Sequence, residues 1–249
     1  MTAPTVELTG RLTTASNATF VGTLDGVSVV YKPVAGERPL WDFPDGTLAG
    51  REVAAYLVCR AMEWDLVPRT WWGDGPHGPG MVQHWCDVDT QDEPVTLVPA
   101  GDVPRGWCHV LDGFDAADRA VSLIHEDSVQ LRRMAIFDLV TNNADRKGGH
   151  VLPKANGDRL GVDHGLTFHV EHKLRTVLWG WIDRELSEDE VAGIERVVAA
   201  LDDGLTGELS GLITTHEIDA LRSRCEALLR RPVFPPPRGP MPAVPWPPF

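Results

Sequence analysis

The sequence predicts an α+β fold, with a β-rich N-terminal part followed by a mainly helical one. Three observations lead there. Residues 8–32, LTGRLTTASNATFVGTLDGVSVVYK, hold β-branched residues in short runs, and the Asp25-Gly26 pair between two of them is a hairpin signal. Apolar residues recur at helical spacing over residues 51–62, 127–140, 187–200 and 215–231. The 20 prolines and 24 glycines among 249 residues suit a loop-rich chain rather than a helical bundle. With 43% hydrophobic residues the chain is able to bury a core, as one domain or as two intimate lobes.

Taken in order, the first strands are joined by the polar turn TTASN, and the next pair by Asp25-Gly26. The run Val29-Val30-Tyr31-Lys32 ends an apolar strand on a lysine, a residue that needs either a partner or a route to water there. Residues 35–50 read as a loop that ends at Thr47, a cap for a helix over 51–62 with Val53, Ala54, Leu57 and Val58 on one face. Glu52 lies in its first turn, where the helix dipole favours a carboxylate. Residues 65–70 lead into a strand, the turn GDGPHGPG and a second strand over 80–85. Residues 88–113 read as a loop and 114–124, FDAADRAVSLI, as a helix. A stronger helix follows over 127–140, with Ser128 as its cap and Leu131, Met134, Ala135, Phe137, Leu139 and Val140 on a broad apolar surface. Ser187 with Glu190 forms a capping box ahead of the helix at 187–200, and another amphipathic helix occupies 215–231. From residue 232 the chain turns proline-rich and extended, with Phe234, Trp246 and Phe249 as candidate pegs along its own domain or as contacts for a partner's groove.

Lys and Arg number 23 against 36 Asp and Glu, a net charge of −13. An acidic surface argues against non-specific nucleic-acid binding and against docking on anionic lipid by charge. The four cysteines lie far apart with no Cys-x-x-Cys, and no run reaches membrane-spanning length. Residues 1–10 show neither a basic start nor an apolar signal core, so a reduced, cytoplasmic protein is expected.

Chemistry concentrates in residues 138–168, DLVTNNADRKGGHVLPKANGDRLGVDHGLTF. Asp145 sits in a polar loop directly after an apolar helical run. Asp163 follows a strand-like piece, residues 159–162, and precedes His164-Gly165. Helix, loop, hairpin and a second Asp before Gly form the layout of a kinase centre, in which one Asp handles the acceptor hydroxyl and the other holds metal on the ATP phosphates. The wording differs from protein kinases, since neither His-Arg-Asp nor Asp-Phe-Gly occurs here. It resembles the phosphatidylinositol 3-/4-kinase superfamily, especially type II phosphatidylinositol 4-kinases and their bacterial relatives. That family carries Asn-x-Asp-Arg and then Asp-x-Gly-Leu, which read here Asn143-Ala144-Asp145-Arg146 and Asp163-His164-Gly165-Leu166. Its helix motif Glu-x-x-Ala-Tyr-Leu-Val is matched by Glu52 to Val58, EVAAYLV. The resemblance spans roughly residues 8–185.

The resemblance implies a two-lobed kinase-like fold, with residues 1–87 as the N-lobe, 88–231 as the C-lobe and 232–249 as a proline-rich tail. It implies ATP with Mg2+ or Mn2+ as cofactors, and an inositol lipid as acceptor. The acidic balance makes a protein hydroxyl, the chain's own included, an equal expectation. Lys32, paired with Glu52, would hold the α- and β-phosphates, and the turn residues Ser16, Asn17 and Thr19 would offer phosphate donors. Gln83 would stand at the hinge that meets adenine. Asp163 would bind the metal and Asp145 would take or orient the acceptor hydroxyl, with Arg146 offsetting developing charge. One position departs from the family: His150 stands where an Asn is expected as second metal ligand. Imidazole favours manganese over magnesium, which predicts a manganese preference. Two further expectations are a zinc cluster of His150, His164, His169 and His172, and a non-catalytic nucleotide-binding adaptor that recruits a protein partner through the tail. The basic residues His169, His172, Lys173 and Arg175 stand where an activation segment would meet an anionic acceptor, with Trp179 and Trp181 behind them as packing.

Overall fold

A computed structural model describes residues 5–13, 17–44 and 47–249. Strands β1 (Glu7–Leu12), β2 (Thr19–Leu24), β3 (Val27–Pro33), β4 (Thr70–Gly75) and β5 (Gly78–His84) form an antiparallel sheet in the order β1-β2-β3-β5-β4. Asp25 and Gly26 both take positive φ, 49° and 79°, the backbone that a tight two-residue hairpin requires. Helix α1 (Leu48–Ala61) starts where Thr47 Oγ1 accepts from Gly50 N at 2.9 Å. It packs on β4 and β5 and also on two later helices, α3 (Glu188–Asp203) and α4 (Leu205–Leu209), so most of its turns are buried rather than one face only. Arg51 is buried on it, donates to the Thr167 carbonyl at 2.6 Å, and pairs at 2.5 Å with Glu217. Met81 lies directly across the ladder from Lys32 and packs against Ala49 and Val53, so Lys32 emerges on the face of the sheet that α1 covers.

Residues 88–124 differ from expectation. They form a second antiparallel sheet, β6 (Val95–Pro99), β7 (Trp107–Phe114) and β8 (Ala120–Glu126), in the order β6-β8-β7. The helix expected over 114–124 is a hairpin. The Asp115 carboxylate accepts from Ala117 N and Arg119 N at 2.9 Å each and closes the turn before α-helical geometry is able to propagate. Ser122, Leu123, Ile124 and His125 then become a central, buried strand. Tertiary pairing overrode the helical spacing of FDAADRAVSLI.

His125 is locked neutral in this sheet. Its Nδ1 donates to the Glu126 carbonyl at 2.9 Å, its Nε2 accepts from Gly180 N at 3.0 Å, and its ring lies 4.4 Å from that of Trp181. Burial pushes its pKa down to about 4. The unfolded chain binds a proton near pH 6.5 and the native chain resists it until about 4. The contribution of His125 to stability is therefore intact above 6.5 and lost as pH falls through that window. Urea unfolding should show wild type losing about 2 kcal/mol more than His125→Gln between pH 7 and pH 5. Equal losses would remove His125 as the cause.

Helix α2 (Val129–Thr141), capped by Ser128, is buried on nearly every side, with Ile136 and Phe137 fully enclosed. Each such side chain contributes roughly 1.5–3 kcal/mol of apolar burial. The hairpin of β9 (Val151–Pro153) and β10 (Arg159–Gly161) follows, and α3 (Glu188–Asp203), α4 (Leu205–Leu209) and α5 (Thr215–Arg230) close the helical part. Both expected long helices are present. The Ser187–Glu190 capping box forms as predicted, and Thr214 with Glu217 adds a second.

The proline-rich tail straps along its own chain. Phe234 is buried, 5.9 Å from the Trp181 ring and 4.8 Å from the Arg132 guanidinium. The Ala243 carbonyl accepts from Thr176 N and Trp179 Nε1, and the Pro248 carbonyl from Gly148 N at 2.8 Å. A Cβ at Gly148 would fall 2.6 Å from the Phe249 ring, so the close approach depends on glycine. Trp246 is 84% exposed and is no peg. All four cysteines are free thiols, and among the described residues no helix is long and apolar enough to cross a membrane.

Candidate active site

Lys32 Nζ lies 2.5 Å from Glu52 Oε1 and 2.8 Å from Asp163 Oδ1, joining β3, α1 and the loop after β10. Burial alone would lower the ammonium's pKa, but the carboxylates of Asp163 and Glu52 outweigh it and hold the charge firmly. Glu52 Oε2 accepts from His164 N at 2.8 Å, which ties α1 to the residue after Asp163. Asp163 is half-exposed, and the adjacent Lys32 charge draws its pKa well below the usual carboxylate range. Its φ is +61°, a left-handed conformation that Asp tolerates, and five residues on Phe168 takes φ +66°. A bulky residue at such φ is strained. Phe168 N is held to the Thr141 carbonyl at 2.6 Å, so the strain sits where the segment is fastened to α2.

The loop carrying Asp145 is stitched on both sides. Ala144 N donates to the Leu166 carbonyl at 2.8 Å, Arg175 N to Asn143 O at 2.9 Å, and Arg146 N to Arg175 O at 3.0 Å. Asn142 ends α2 in a left-handed C-cap, and its amide nitrogen reaches the carbonyls of His169 and Glu171. The Asp145 side chain is partly buried, with Lys147 Nζ 3.6 Å from its carboxylate. Burial raises its pKa above the ordinary aspartate value, with Lys147 opposing. That direction suits a group that accepts a proton from a hydroxyl.

Arg146 does not face the cleft. Its side chain is completely buried and turns back onto Asp138, with Nε and Nη2 within 2.9–3.1 Å of the carboxylate. Its Nη1 bonds the carbonyls of His150 and Val162, and Nη2 reaches His164 Nε2 at 2.7 Å. A guanidinium supplies five donors in a rigid fork, and here they fasten helix, loop and hairpin together. The expected charge-offsetting role gives way to an organising one. Asp138 also accepts from Asn143 Nδ2 and Thr176 Oγ1. Asp138 has no role in the sequence reading, and His164 enters it only as a candidate zinc ligand. The signal available for Asp138 was a lone carboxylate inside the apolar run MAIFDLV.

His150 links the two aspartates. Its Nδ1 donates to the Asp145 carbonyl at 2.9 Å, which leaves Nε2 facing Asp163 Oδ2 at 3.3 Å. Burial lowers the imidazole pKa, so at neutral pH two acceptors face one another across that gap. A shared cation relieves the repulsion. A carboxylate and an imidazole, completed by phosphate oxygens and water, therefore fit a divalent ion. The zinc cluster does not form. His164 is fully buried against Arg146, and among the described residues no group of three or more His, Cys, Asp or Glu is placed to hold a metal. Ser16 lies outside the described residues. Asn17 Oδ1 accepts from Arg38 N at 2.9 Å, Thr19 is buried, and Gln83 Nε2 bonds Thr70 Oγ1 within the sheet, so these side chains are spent locally. In the stretch expected as an activation segment, Arg175 Nε bonds the Ala144 carbonyl at 2.7 Å and Lys173 lies 3.6 Å from Asp42. Trp181 is fully buried and acts as packing.

A five-stranded sheet with a strand Lys bound to a helix Glu, joined to a helical part with two Asp-bearing turns, is a kinase-like fold. The Helicobacter pylori proinflammatory kinase CtkA is similar at TM-score 0.51 and 10% identity, over 93% of this chain and 94% of that one. The Golgi casein kinase is similar at TM-score 0.50 and 12% identity, over 92% of this chain and 71% of that one. In sequence, the chain is 49% identical to Protein Rv2133c of Mycobacterium tuberculosis (strain ATCC 25618 / H37Rv) over 253 residues, 96% of this chain and 91% of that protein. It belongs to the family of that mycobacterial protein. No family model matches. The likeness to inositol-lipid kinases rests on the sequence motifs alone.

Proposed function

We propose that the protein is an ATP-dependent phosphotransferase acting on an alcohol group, with residues 1–87 and 88–231 as the two lobes of the nucleotide cleft. The observation that supports this most is Lys32 Nζ bridging Glu52 and Asp163, brought together from separate elements with the Asp145 loop joined to them through His150. Lys32, aimed by Glu52, would hold phosphate. Asp163 and His150 would hold the divalent ion, which when bound would neutralise charge on the phosphates. Asp145 would accept the acceptor's proton, and Arg146 with Asp138 keeps that loop in register. The tail's contacts to its own chain favour the enzyme over the adaptor reading. The acceptor is a protein hydroxyl or an inositol lipid.

The test is transfer from γ-labelled ATP in three arms: inositol-lipid vesicles, a protein acceptor, and no added acceptor. Label in any arm that depends on Asp163 supports the reading and names the acceptor class. No label in all three would overturn it. His150→Asn should lower the ratio of manganese- to magnesium-supported transfer by about tenfold, because an oxygen ligand replaces imidazole. An unchanged ratio would remove His150 from the metal site.

A further inference from the structure

A cavity of about 350 Å3 lies between the end of α2, α5, the 172–179 stretch and the proline-rich tail. Its walls are apolar, with Leu139, Leu174, Trp179, Leu228 and Phe234 among them. That volume is within the range of small-molecule sites, roughly 300–1,000 Å3. The charged groups around it are unusual for a chain of net charge −13. Arg224, Arg231 and Arg238 all line it, and among the described residues none of the three forms an ion pair with a carboxylate. Asp183 is the one acidic side chain in the lining, and His172 is the remaining titratable group. Three cations against one anion leave a net positive mouth on an apolar chamber.

Arg224 carries the sharper observation. Its Nε donates to the Val140 carbonyl at 2.8 Å and its Nη1 to the His169 carbonyl at 3.3 Å, while Nη2 is buried with no hydrogen-bond partner. Burial draws its pKa down to about 10, a sign of a cation short of compensation. A buried guanidinium nitrogen without an acceptor is costly, and because this one has no exposed surface a ligand oxygen would relieve it only as the tail wall shifts to admit that oxygen. Burial also keeps His172 neutral, so it adds no charge of its own.

We infer that this cavity is a binding site for a small amphiphilic anion, a carboxylate or phosphate monoester on an apolar chain or ring. The head would sit at Arg224 with Arg231 and Arg238 at the mouth, and the apolar body between Leu228, Leu174 and Phe234. The tail forms one wall, so an occupant also fastens the tail to α5. This site is separate from the proposed nucleotide site and stands or falls apart from it.

The test is calorimetric titration of the full chain with decanoate and with decanol, both below their aggregation limits, and separately with anionic phospholipid vesicles. The expected result is saturable 1:1 binding of decanoate, with decanol at least about tenfold weaker. Arg231→Gln/Arg238→Gln should weaken decanoate by about tenfold and leave decanol unchanged. Leu228→Phe, which fills the chamber, should reduce both. Equal affinity for acid and alcohol in the wild type would overturn the inference without recourse to any variant. So would decanoate binding untouched by the arginine changes, or binding to vesicles with none to decanoate.

Discussion

Asp145→Asn should reduce phosphoryl transfer by about a hundred- to ten-thousand-fold, the range that loss of a positioned general base produces. The fold should be unaffected. The Asp145 side chain is partly exposed, it pairs with Lys147 at 3.6 Å, and the loop is held by backbone bonds of its neighbours. Nucleotide binding should also persist, because Lys32, Glu52 and Asp163 remain. Wild-type activity should fall on the acid side of the pH profile, since the ionised carboxylate is the working form. The midpoint should lie above the ordinary aspartate value, because burial raises the Asp145 pKa. Steady-state transfer with nucleotide titration checks both parts. Full activity in Asp145→Asn would end the assignment, and lost nucleotide binding would relocate the residue to the phosphate site.

Arg146→Met should cost about 3–5 kcal/mol of stability, because it leaves the Asp138 carboxylate buried and without its cation. Both side chains have no exposed surface, and the guanidinium also satisfies the carbonyls of His150 and Val162. Against a total of roughly 5–15 kcal/mol for a natural domain, that loss is a large fraction. Adding Asp138→Asn should recover part of it, since the neutral amide no longer requires a counter-charge. Urea unfolding of the two single variants and the double variant closes the cycle. A loss below about 1 kcal/mol for Arg146→Met would contradict the organising role.

The parts of the fold read best from sequence were those set by local chemistry. Asp25-Gly26 specified its hairpin, Thr47 and Ser128 their helix starts, and Ser187 with Glu190 its capping box, because each of these acts within a few residues. The sheet β6-β8-β7 was not legible. Residues 114–124 carry helical spacing, and only the Asp115 turn and the pairing of β8 with two partners decide against it. In the candidate site, motif order singled out Lys32, Glu52, Asp145 and Asp163, and the structure brings Lys32 into direct contact with Glu52 and with Asp163. Arg146 shows the limit of such reading. Its place beside Asp145 in sequence pointed to the reacting groups, whereas a carboxylate eight residues earlier, one helix turn into the core, draws the side chain the other way. The tail's course was open for the same reason: its partners, Thr176, Trp179 and Gly148, lie far from it in sequence.

The most direct test of the central claim is calorimetric titration of ATP into wild type, Lys32→Met and Asp163→Asn, each with and without Mn2+. The account predicts one site per chain in wild type that tightens with metal, at least about tenfold weaker binding in Lys32→Met, and no metal effect in Asp163→Asn. Wild type that binds no nucleotide, or an Asp163→Asn variant whose affinity still rises with Mn2+, would contradict it.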